Sequence, residues 1–355
     1  MKEITIQDRL IGLEHPTYFI ADIAANHDGD LDRAIELIRL AKEAGADAAK
    51  FQNFRAPQIV SDYGFKSLGE QLSHQAQWKK SVFEVYEDAS IPFEWTPTLK
   101  DACDEFDIHY YSSPYDYEAI DMLDPYVPAY KAGSGLMSWP DAILRMAQTG
   151  KPLLIATGAS EMADVRRVME QVLPINEQIV LMQCNTNYTA DEGNYDHLHL
   201  NVLKTYAEEF PNVILGLSDH TQSAAPVVAA VALGARVIER HFTDSNERAG
   251  PDHKFALNPQ NWAHMVQEVR ITERAFGANE KKVAQNERDT YVVQRRCLRA
   301  ARDIKAGEVF TEEMLEVLRP ASPGALMAWD MPSVLGKKAK TDLPFGKDIQ
   351  PGDFA

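Results

Sequence analysis

Eight short apolar runs, separated by stretches with helical periodicity, limit what this chain can fold into more than any other feature. The runs are mostly apolar throughout, as expected for parallel strands that are buried on both faces. They are FIADIA (19–24), DAAKFQ (47–52), IHYYSS (108–113), AYKAGS (129–134), LLIATG (153–158), IVLMQC (179–184), VILGLS (213–218) and RVIERH (236–241). Because a helix candidate follows each run, the pattern predicts a (β/α)8 barrel, with a doubly wound open sheet as the alternative.

Two observations favour the barrel over the open sheet. The eight units end near residue 275, and a typical barrel takes ~250 residues. No GxGxxG dinucleotide fingerprint follows the first run, although open sheets that bind dinucleotides carry it there. We therefore predict an α/β fold with a TIM barrel over residues 1–280.

Three of the helical stretches between the runs have recognisable ends. Residues 31–45 place apolar side chains on one face and end at Gly45, a residue that favours helix termination. The pattern at 160–173 predicts a helix that the hydroxyl of Ser160 caps. Residues 221–235, rich in small side chains, predict a third helix.

A long segment, 54–106, separates the second run from the third. Within it we expect one helix over 68–89. A second helix is expected to begin at Thr96 as the capping residue, with Pro97 in its first helical position.

The sequence changes character after the eighth unit. Residues 281–294 are polar and are predicted to be a linker. Residues 295–355 contain short β-like runs, turn residues and one helix start at Thr311, which predicts a small, mostly-β domain. Residues 285–355 carry no net charge, so the imbalance of the chain lies in residues 1–284.

Composition excludes several classes of function. A net charge of −17 argues against sequence-independent nucleic-acid binding, which needs clustered Lys and Arg. No stretch approaches the ~18 apolar residues that span a bilayer, and the polar start lacks a signal-peptide core. The three cysteines are widely spaced and indicate reduced thiols in a cytoplasmic protein.

Polar side chains end all eight predicted strands, at the face where barrel enzymes hold their chemistry. A single polar residue there is usually a helix cap or a solvated loop residue, but eight together indicate a site. Strand by strand they include Asp22, Lys50 and Gln52, Ser113, Lys131 and Ser134, Thr157, Thr186 and Tyr188, Ser218 and His220, and Glu239 and His241.

Two lysines interrupt otherwise apolar runs. A buried lysine is costly unless it meets an anion, so Lys50 and Lys131, with the neighbouring Ser, Thr and Gly residues, predict a site for a phosphate or a carboxylate. The alternative is that each lysine forms an ion pair with Asp or Glu inside the barrel.

Two histidines end adjacent strands. His220 and His241, with Asp22 or Glu239 nearby, suit an octahedral site for a divalent ion of the Mn²⁺ type. The alternative is that each histidine is an ordinary hydrogen-bonding residue of the core.

Several segments together carry a resemblance to a known family. They are IADIAANHDGDLDRA (20–34), GADAAKFQNF (45–54), YYSSPYD (110–116), YKAGSG (130–135), IATG (155–158), GLSDHT (216–221), ALGARVIERHFT (232–243) and GPDHKFALNP (250–259). With the tail CLRAARDIKAGEVFTEEMLEVLRP (297–320), they resemble the sialic acid (nonulosonic acid) synthases, which have a C-terminal antifreeze-like (SAF) domain. That family condenses phosphoenolpyruvate with an N-acylated hexosamine.

The resemblance implies a role for each matching residue. It implies a divalent metal on His220 and His241, with Mn²⁺ expected and Mg²⁺ or Co²⁺ as alternatives. Asp22, Lys50 and Lys131 are implied to be catalytic, and phosphoenolpyruvate is implied to contact Lys50, Ser113, Lys131, Ser134, Thr186 and Ser218. The sugar is implied to contact Gln52, Tyr188, Asp252 and Arg319, the last from the tail of a second subunit in a domain-swapped homodimer.

Some positions depart from the family pattern. Asp22 stands where the family usually has Glu, Ala156 where many relatives have Ser, and Leu136 where relatives often have Glu. These changes fall mainly on the sugar side, so we expect an acceptor other than plain N-acetylmannosamine, such as a 6-deoxy-diacetamido sugar. Two alternative functions are a metal-dependent pyruvate aldolase and a non-catalytic carbohydrate-binding protein.

Overall fold

The computed structural model describes residues 3–355, apart from the side chain of Gln77. It divides into two compact units, Met1–Gly277 and Ala278–Ala355. The first unit contains eight parallel strands in the order β5-β4-β3-β10-β9-β8-β7-β6. These are β3 (Tyr18–Asp22), β4 (Ala48–Asn53), β5 (His109–Pro114), β6 (Tyr130–Ala132), β7 (Leu153–Ala156), β8 (Ile179–Cys184), β9 (Ile214–Asp219) and β10 (Ala235–His241).

The two ends of this sheet, β5 and β6, lie side by side, so the sheet curls into a nearly closed barrel. A helix follows each strand along the chain. The predicted TIM barrel is therefore confirmed, and each observed strand overlaps one of the eight apolar runs.

The helices of this unit pack around the barrel. They are α1 (Leu31–Glu43), α2 (Ala56–Ile59), α3 (Asp62–Ser67), α4 (Val82–Ala89), α5 (Trp95–Glu105), α6 (Tyr117–Leu123), α7 (Pro140–Gln148), α8 (Met162–Val172), α9 (Val202–Glu209), α10 (Ala225–Ala232) and α11 (Pro259–Phe276). Short 3₁₀ helices span Ser73–Gln77, Ser134–Ser138 and Glu192–His197. Within the described residues, none of the helices has the length and apolar character needed to cross a bilayer.

Alternation along the strands separates two apolar layers. Inward-pointing side chains such as Ile20, Leu154 and Val237 form one cluster inside the barrel. Outward-pointing ones such as Phe19 and Ile238 join the larger cluster under the helices. This alternation decides which polar residue at each strand end enters the barrel mouth.

A two-stranded hairpin precedes the barrel. It pairs β1 (Ile4–Ile6) with β2 (Arg9–Ile11) in antiparallel register. Its buried residues Ile4, Ile6 and Ile11 belong to the same cluster as the barrel interior. The hairpin therefore extends the apolar interior at the end of the barrel where the strands begin.

Three predicted helix starts were wrong in detail. The helix predicted from Ser160 begins at Met162, because Glu161 is the capping residue and its N–H donates to the Asp164 carboxylate. The helix predicted to have Pro97 as its first residue begins two residues earlier, at Trp95, and the Thr96 side chain is buried within it. A buried Thr96 packs inside the helix instead of capping it.

The third error concerns residues 68–89, which do not form one helix. A 3₁₀ helix spans Ser73–Gln77, and α4 begins separately after Ser81. The Ser81 hydroxyl accepts from the Glu84 N–H while the Glu84 carboxylate accepts from the Ser81 N–H. This capping box starts a new helix and interrupts the predicted one.

The second unit consists of short elements around its own small core. They are α12 (Arg288–Val293), β11 (Cys297–Ala300), β12 (Leu315–Leu318) and α13 (Met331–Val334), with β11 and β12 paired antiparallel. Leu298, Phe310 and Ile349 lie in its apolar cluster. The segment predicted as a linker, 281–294, contains α12, and the Val292 carbonyl accepts a hydrogen bond from the Ala321 N–H. That segment therefore packs as part of the second unit.

We predict that Gly216→Ala destabilises the barrel. A Cβ at Gly216 would lie 2.8 Å from the Met182 Cγ and 2.9 Å from the Val237 carbonyl oxygen, inside the barrel. Overpacking of this kind costs about 1–3 kcal/mol, to be read as a lower free energy of unfolding in denaturant titration. Gly352→Ala is the control, because a Cβ there meets no atom within 4 Å. Equal stability of the two variants would contradict the prediction.

Candidate active site

The polar strand ends converge at the mouth of the barrel. Asp22 lies in register with Lys50 on one side and with His241 on the other. Because side chains at paired positions of neighbouring strands point to the same face, all three enter the barrel mouth. Outward residues at the same level, such as Arg240 and Asp219, form a buried ion pair of 3.3 Å away from it.

Lys50 is the centre of one half of the site. Its Nζ lies 2.6 Å from the Asp22 carboxylate and 3.4 Å from the Ser113 hydroxyl. The Gln52 amide donates a second hydrogen bond to the same Asp22 oxygen at 3.0 Å. Lys50 and Asp22 are 1% and 2% exposed, so this ion pair is almost completely removed from water.

Lys131 is the centre of the other half. Its Nζ lies 3.0 Å from the Glu239 carboxylate, and the Ser218 hydroxyl donates to the same oxygen at 3.2 Å. The strands that carry Lys131 and Glu239, β6 and β10, are not neighbours in the sheet. The ion pair therefore crosses the barrel interior.

Glu239 links the two halves, since its other carboxylate oxygen lies 3.8 Å from Lys50 Nζ. Burial alone would raise the pKa of Glu239, but Lys131 and Lys50 lower it to about 2. Burial raises the pKa of Asp22 against the opposing charge of Lys50. Burial acts to lower the pKa of Lys50, but Asp22 and Glu239 raise it overall, which keeps the ammonium charged.

These contacts show that the ion-pair interpretation of the two lysines is correct within the chain. Lys50 and Lys131 have buried carboxylate partners, and their charges are balanced by Asp22 and Glu239. That Lys50 and Lys131 also bind a phosphate or a carboxylate of a substrate remains a prediction.

Ser134 and Thr186 both lie against Gly158. A Cβ at Gly158 would lie 2.2 Å from the Ser134 Cβ and 2.9 Å from the Thr186 methyl carbon. Gly158 also has a φ of +51°, which favours glycine. The Ser134 hydroxyl donates to the Cys184 sulfur at 3.3 Å. Only a glycine at 158 keeps this hydroxyl-lined corner open.

The two histidines lie together, with ring centroids 5.3 Å apart. Nδ1 of His220 donates to the Asn185 carbonyl at 2.7 Å, which leaves its Nε2 with a free lone pair. Burial lowers the pKa of both histidines to about 3, so both rings are neutral. Neutral imidazole is the form that binds metals.

Two buried atoms on β10 have no hydrogen-bond partner within the described residues. They are Nδ1 of His241 and one carboxylate oxygen of Glu239. Unpaired buried polar atoms are costly unless a ligand satisfies them. The Lys50 ammonium lies 3.8 Å from the Glu239 oxygen, whereas Nδ1 of His241 is an imidazole nitrogen, the kind of atom that binds a divalent metal. Among residues 3–355, however, no three His, Cys, Asp or Glu side chains form a complete metal site.

The predicted sugar-binding residues of the barrel lie on the side of these histidines. The Tyr188 ring packs 4.3 Å from the His220 ring, and an Asp252 oxygen lies 3.7 Å from His241 Nδ1. Desolvation raises the pKa of Asp252 to about 7, against a hydrogen bond from the Ala25 N–H. Arg319 belongs to the second unit, where it is exposed after β12.

Two positions that depart from the family pattern have lost their polar function. Leu136 is buried and packs in the apolar layer under the helices. Ala156 packs inside the barrel with Leu154 and Met182. Neither adds a polar contact to the site.

Some residues of the site were not predicted. Tyr115 reaches the Gln52 amide oxygen with its hydroxyl at 3.5 Å, and Cys184 contacts Ser134. His74, Trp78 and Tyr86 come from the long segment after β4 and line a cavity beside His241. The aromatic content of that segment was the only available signal, and it does not specify where the segment folds.

We predict that Glu239→Gln lowers the free energy of unfolding by about 3–5 kcal/mol, because it leaves a buried lysine without its counter-charge. Glu118→Gln is the matched control: its partner Arg55 is exposed, and such pairs contribute about 1 kcal/mol or less. Denaturant titration of both variants measures the difference. Similar small effects would contradict the prediction.

The same carboxylate gives a pH dependence. Since the pKa of Glu239 falls from 4.5 to about 2 on folding, its stabilisation is fully present above pH 4.5 and is lost as the pH falls towards 2. Glu239→Gln should show less loss of stability over this range than the unmodified protein. An identical loss of stability in both proteins would show that Glu239 does not contribute to the pH dependence.

Comparisons with known proteins identify the family and the fold. A model of the NeuB family matches residues 37–281, and a model of the SAF domain matches residues 295–355. The crystal structure of spore coat polysaccharide biosynthesis protein SpsE from Bacillus subtilis has a TM-score of 0.64 and 29% identity, and the match covers 99% of each chain. N-acetylneuraminic acid synthetase from Leptospira borgpetersenii shares the fold, with a TM-score of 0.70 and 23% identity. The match covers 81% of this chain and 95% of the other.

Three curated relatives are almost equally similar. Pseudaminic acid synthase of Campylobacter jejuni is 33% identical, with 95% of this chain and 96% of the relative covered. Human N-acetylneuraminate-9-phosphate synthase is 32% identical, with 93% of this chain and 90% of the relative covered. N,N'-diacetyllegionaminic acid synthase of Legionella pneumophila is 31% identical, with 94% of this chain and 93% of the relative covered. With its barrel, its site and its tail, the chain belongs to the NeuB family of sialic (nonulosonic) acid synthases and carries a C-terminal SAF domain.

Proposed function

We propose that the protein condenses phosphoenolpyruvate with an open-chain N-acyl hexosamine to form a nonulosonic acid and phosphate. The observation that carries the proposal is the meeting of Lys50, Lys131 and three serines with two neutral imidazoles at one barrel mouth. An anion and an aldehyde bound there would be held side by side, which supplies proximity. The acceptor is N-acetylmannosamine or a 6-deoxy-diacetamido sugar.

The lysines and hydroxyl groups hold the anionic substrate. Lys50 contacts the Ser113 hydroxyl, and Lys131 and Ser218 contact the same oxygen of Glu239. Ser134 and Thr186, kept accessible by Gly158, add hydroxyl donors. Preorganised donors in a site removed from water stabilise developing negative charge more strongly than solvent does.

The bond changes balance with water as the third reactant. C3 of phosphoenolpyruvate forms the new carbon–carbon bond to the aldehyde carbon, and the aldehyde oxygen takes up a proton as it becomes a hydroxyl. Water adds at C2 and loses a proton, and the C2–O bond to phosphate breaks. Asp22, hydrogen-bonded to Lys50 and Gln52, is the carboxylate placed to exchange a proton near C3, through a water because it is shorter than Glu.

His220 and His241 would hold a divalent cation, with Mn²⁺ expected and Mg²⁺ or Co²⁺ as alternatives. When bound, such an ion polarises the aldehyde oxygen as a Lewis acid. The chain's own residues position the two ligands: the Asn185 carbonyl orients His220, and Tyr188 and Phe255 pack against both rings. Gln52, Tyr188 and Asp252 bind the sugar, and Arg319 reaches its acyl group from a second copy in a tail-exchanged homodimer.

The first test is incubation with phosphoenolpyruvate, Mn²⁺ and a panel of N-acyl hexosamines, with phosphate and nonulosonic acid measured together. Both products should appear in equal amounts. Lys131→Met should lower kcat/KM by about 100-fold or more, because it removes a charged donor from the site. Lys66→Met is the control, since the Lys66 side chain is 68% exposed.

Three results would overturn the proposal. Product from pyruvate without phosphate release would indicate an aldolase. Sugar binding without turnover, in folded and metal-loaded protein, would indicate a carbohydrate-binding protein. Equal activity of the two lysine variants would remove Lys131 from the catalytic residues.

The metal site has a separate test that does not depend on activity. His220→Ala and His241→Ala should each weaken Mn²⁺ binding by about tenfold or more, the loss expected when a metal site is disturbed. Electron paramagnetic resonance of free Mn²⁺ measures it. His264→Ala, whose side chain is 63% exposed, should bind Mn²⁺ like the unmodified protein. Equal binding by all three variants would remove the histidines as ligands.

A further inference from the structure

A cavity of about 150 Å³ opens beside the proposed catalytic centre. Its inner end is lined by Gln52, His241 and Asp252, which belong to the site already described. Its outer end is lined by Trp78, Tyr86 and other residues of the segment 54–89 that follows β4. A sugar bound at His241 would therefore direct part of its chain into this cavity.

About half of its lining residues carry aromatic rings. We call this cavity the aromatic pocket, after its five rings: Phe54, Trp78, Tyr86, Tyr115 and Tyr188. Phe54 packs against Tyr86 at 5.5 Å and against Tyr115 at 5.8 Å, and Trp78 lies 6.4 Å from Tyr86. Apolar cavities of about this size can hold a benzene ring in other proteins.

A small apolar core supports the wall of the aromatic pocket, and ring contacts connect that wall to the candidate active site. Trp78 and Tyr86 pack against a small core formed by Ala56, Val60 and Val82, separate from the barrel core. The centroid of the His74 ring lies 5.4 Å from that of Trp78 and 5.0 Å from that of Tyr188. A continuous series of ring contacts therefore runs from the segment 54–89 to Tyr188, which packs on the predicted metal ligand His220.

The charge of the pocket excludes some substituents. Among the described residues that line it, none is Lys or Arg, and Asp252 is the one carboxylate. A phosphate group there would be desolvated without a counter-charge, which is costly. A hydroxyl against the rings would lose hydrogen bonds to water, whereas a methyl group would not.

We propose that the aromatic pocket binds an uncharged apolar substituent of the acceptor sugar, an acetamido methyl or a deoxy carbon. Trp78 and Tyr86 are the specificity-determining residues that favour this sugar over one with a hydroxyl or a phosphate at that position. The inference rests on the proposed function, because it requires the acceptor to lie against His241.

The test uses unreactive alditols, so it does not depend on turnover. Calorimetric titration of the full-length protein with Mn²⁺ compares the alditols of a 6-deoxy-diacetamido hexose, N-acetylmannosamine and N-acetylmannosamine 6-phosphate. The deoxy alditol should bind about tenfold or more tighter than the alditol of N-acetylmannosamine, since one apolar group in a fitted pocket is worth about 10- to 200-fold. The phosphorylated alditol should bind weakest.

Variants connect this preference to the pocket. Trp78→Ala should reduce the ratio of the two affinities to about threefold or less, while Trp78→Phe, which keeps a ring, should retain most of it. Tyr86→Leu, which keeps apolar volume without the ring, should also reduce the ratio. It provides the test if Trp78→Ala does not fold. Tyr63→Ala is the matched control in the same segment, since Tyr63 is 84% exposed; its ratio should match that of the unmodified protein.

Several outcomes would overturn the inference. They are equal binding of the deoxy and hydroxylated alditols, tightest binding of the phosphorylated one, or an equal loss for both neutral alditols in Trp78→Ala and Tyr86→Leu. Failure of the proposed function looks different, because no acceptor would then release phosphate from phosphoenolpyruvate. Phosphate release with N-acetylmannosamine but no deoxy preference would reject only the pocket.

Discussion

The burial of four charges at the barrel mouth is the constraint on which the rest of the structure depends. Lys50 and Lys131 face Asp22 and Glu239, and all four are nearly inaccessible to water. Each isolated ion would cost several kcal/mol to bury. They are tolerated because the barrel brings two cations and two carboxylates within ion-pair distance across its interior.

This arrangement explains how an acidic protein can have a site for anions. The net charge of −17 describes mainly the surface, whereas the site contains Lys50, whose pKa Asp22 and Glu239 raise so that its ammonium stays charged. A substrate anion would enter a preorganised set of donors rather than recruit them from solvent. The neutral histidines lie beside this set, so the half of the barrel mouth proposed to bind an anion adjoins the half proposed to bind a metal and a sugar.

Much of the fold could be predicted because burial on both faces leaves a clear pattern. All eight apolar runs became strands, and α1 ends just before Gly45, as predicted. Helix starts were less predictable, since Ser160 and Glu161 both offer side chains for the same turn. The site residues could be proposed because each lies near the end of a strand, but Trp78 could not, because it lies in the long segment after β4, which has no such pattern.

The sequence by itself determined the number and order of strands, the polar residue at each strand end and the membership of a family. Those properties depend on local spacing, which the chain carries without folding. Only the tertiary structure decided that Lys131 pairs with Glu239 across the barrel, that Leu136 is turned into the apolar layer, and that the segment 54–89 forms an aromatic wall beside His241. These contacts join residues far apart in the chain, and barrel closure and side-chain packing alone bring them together.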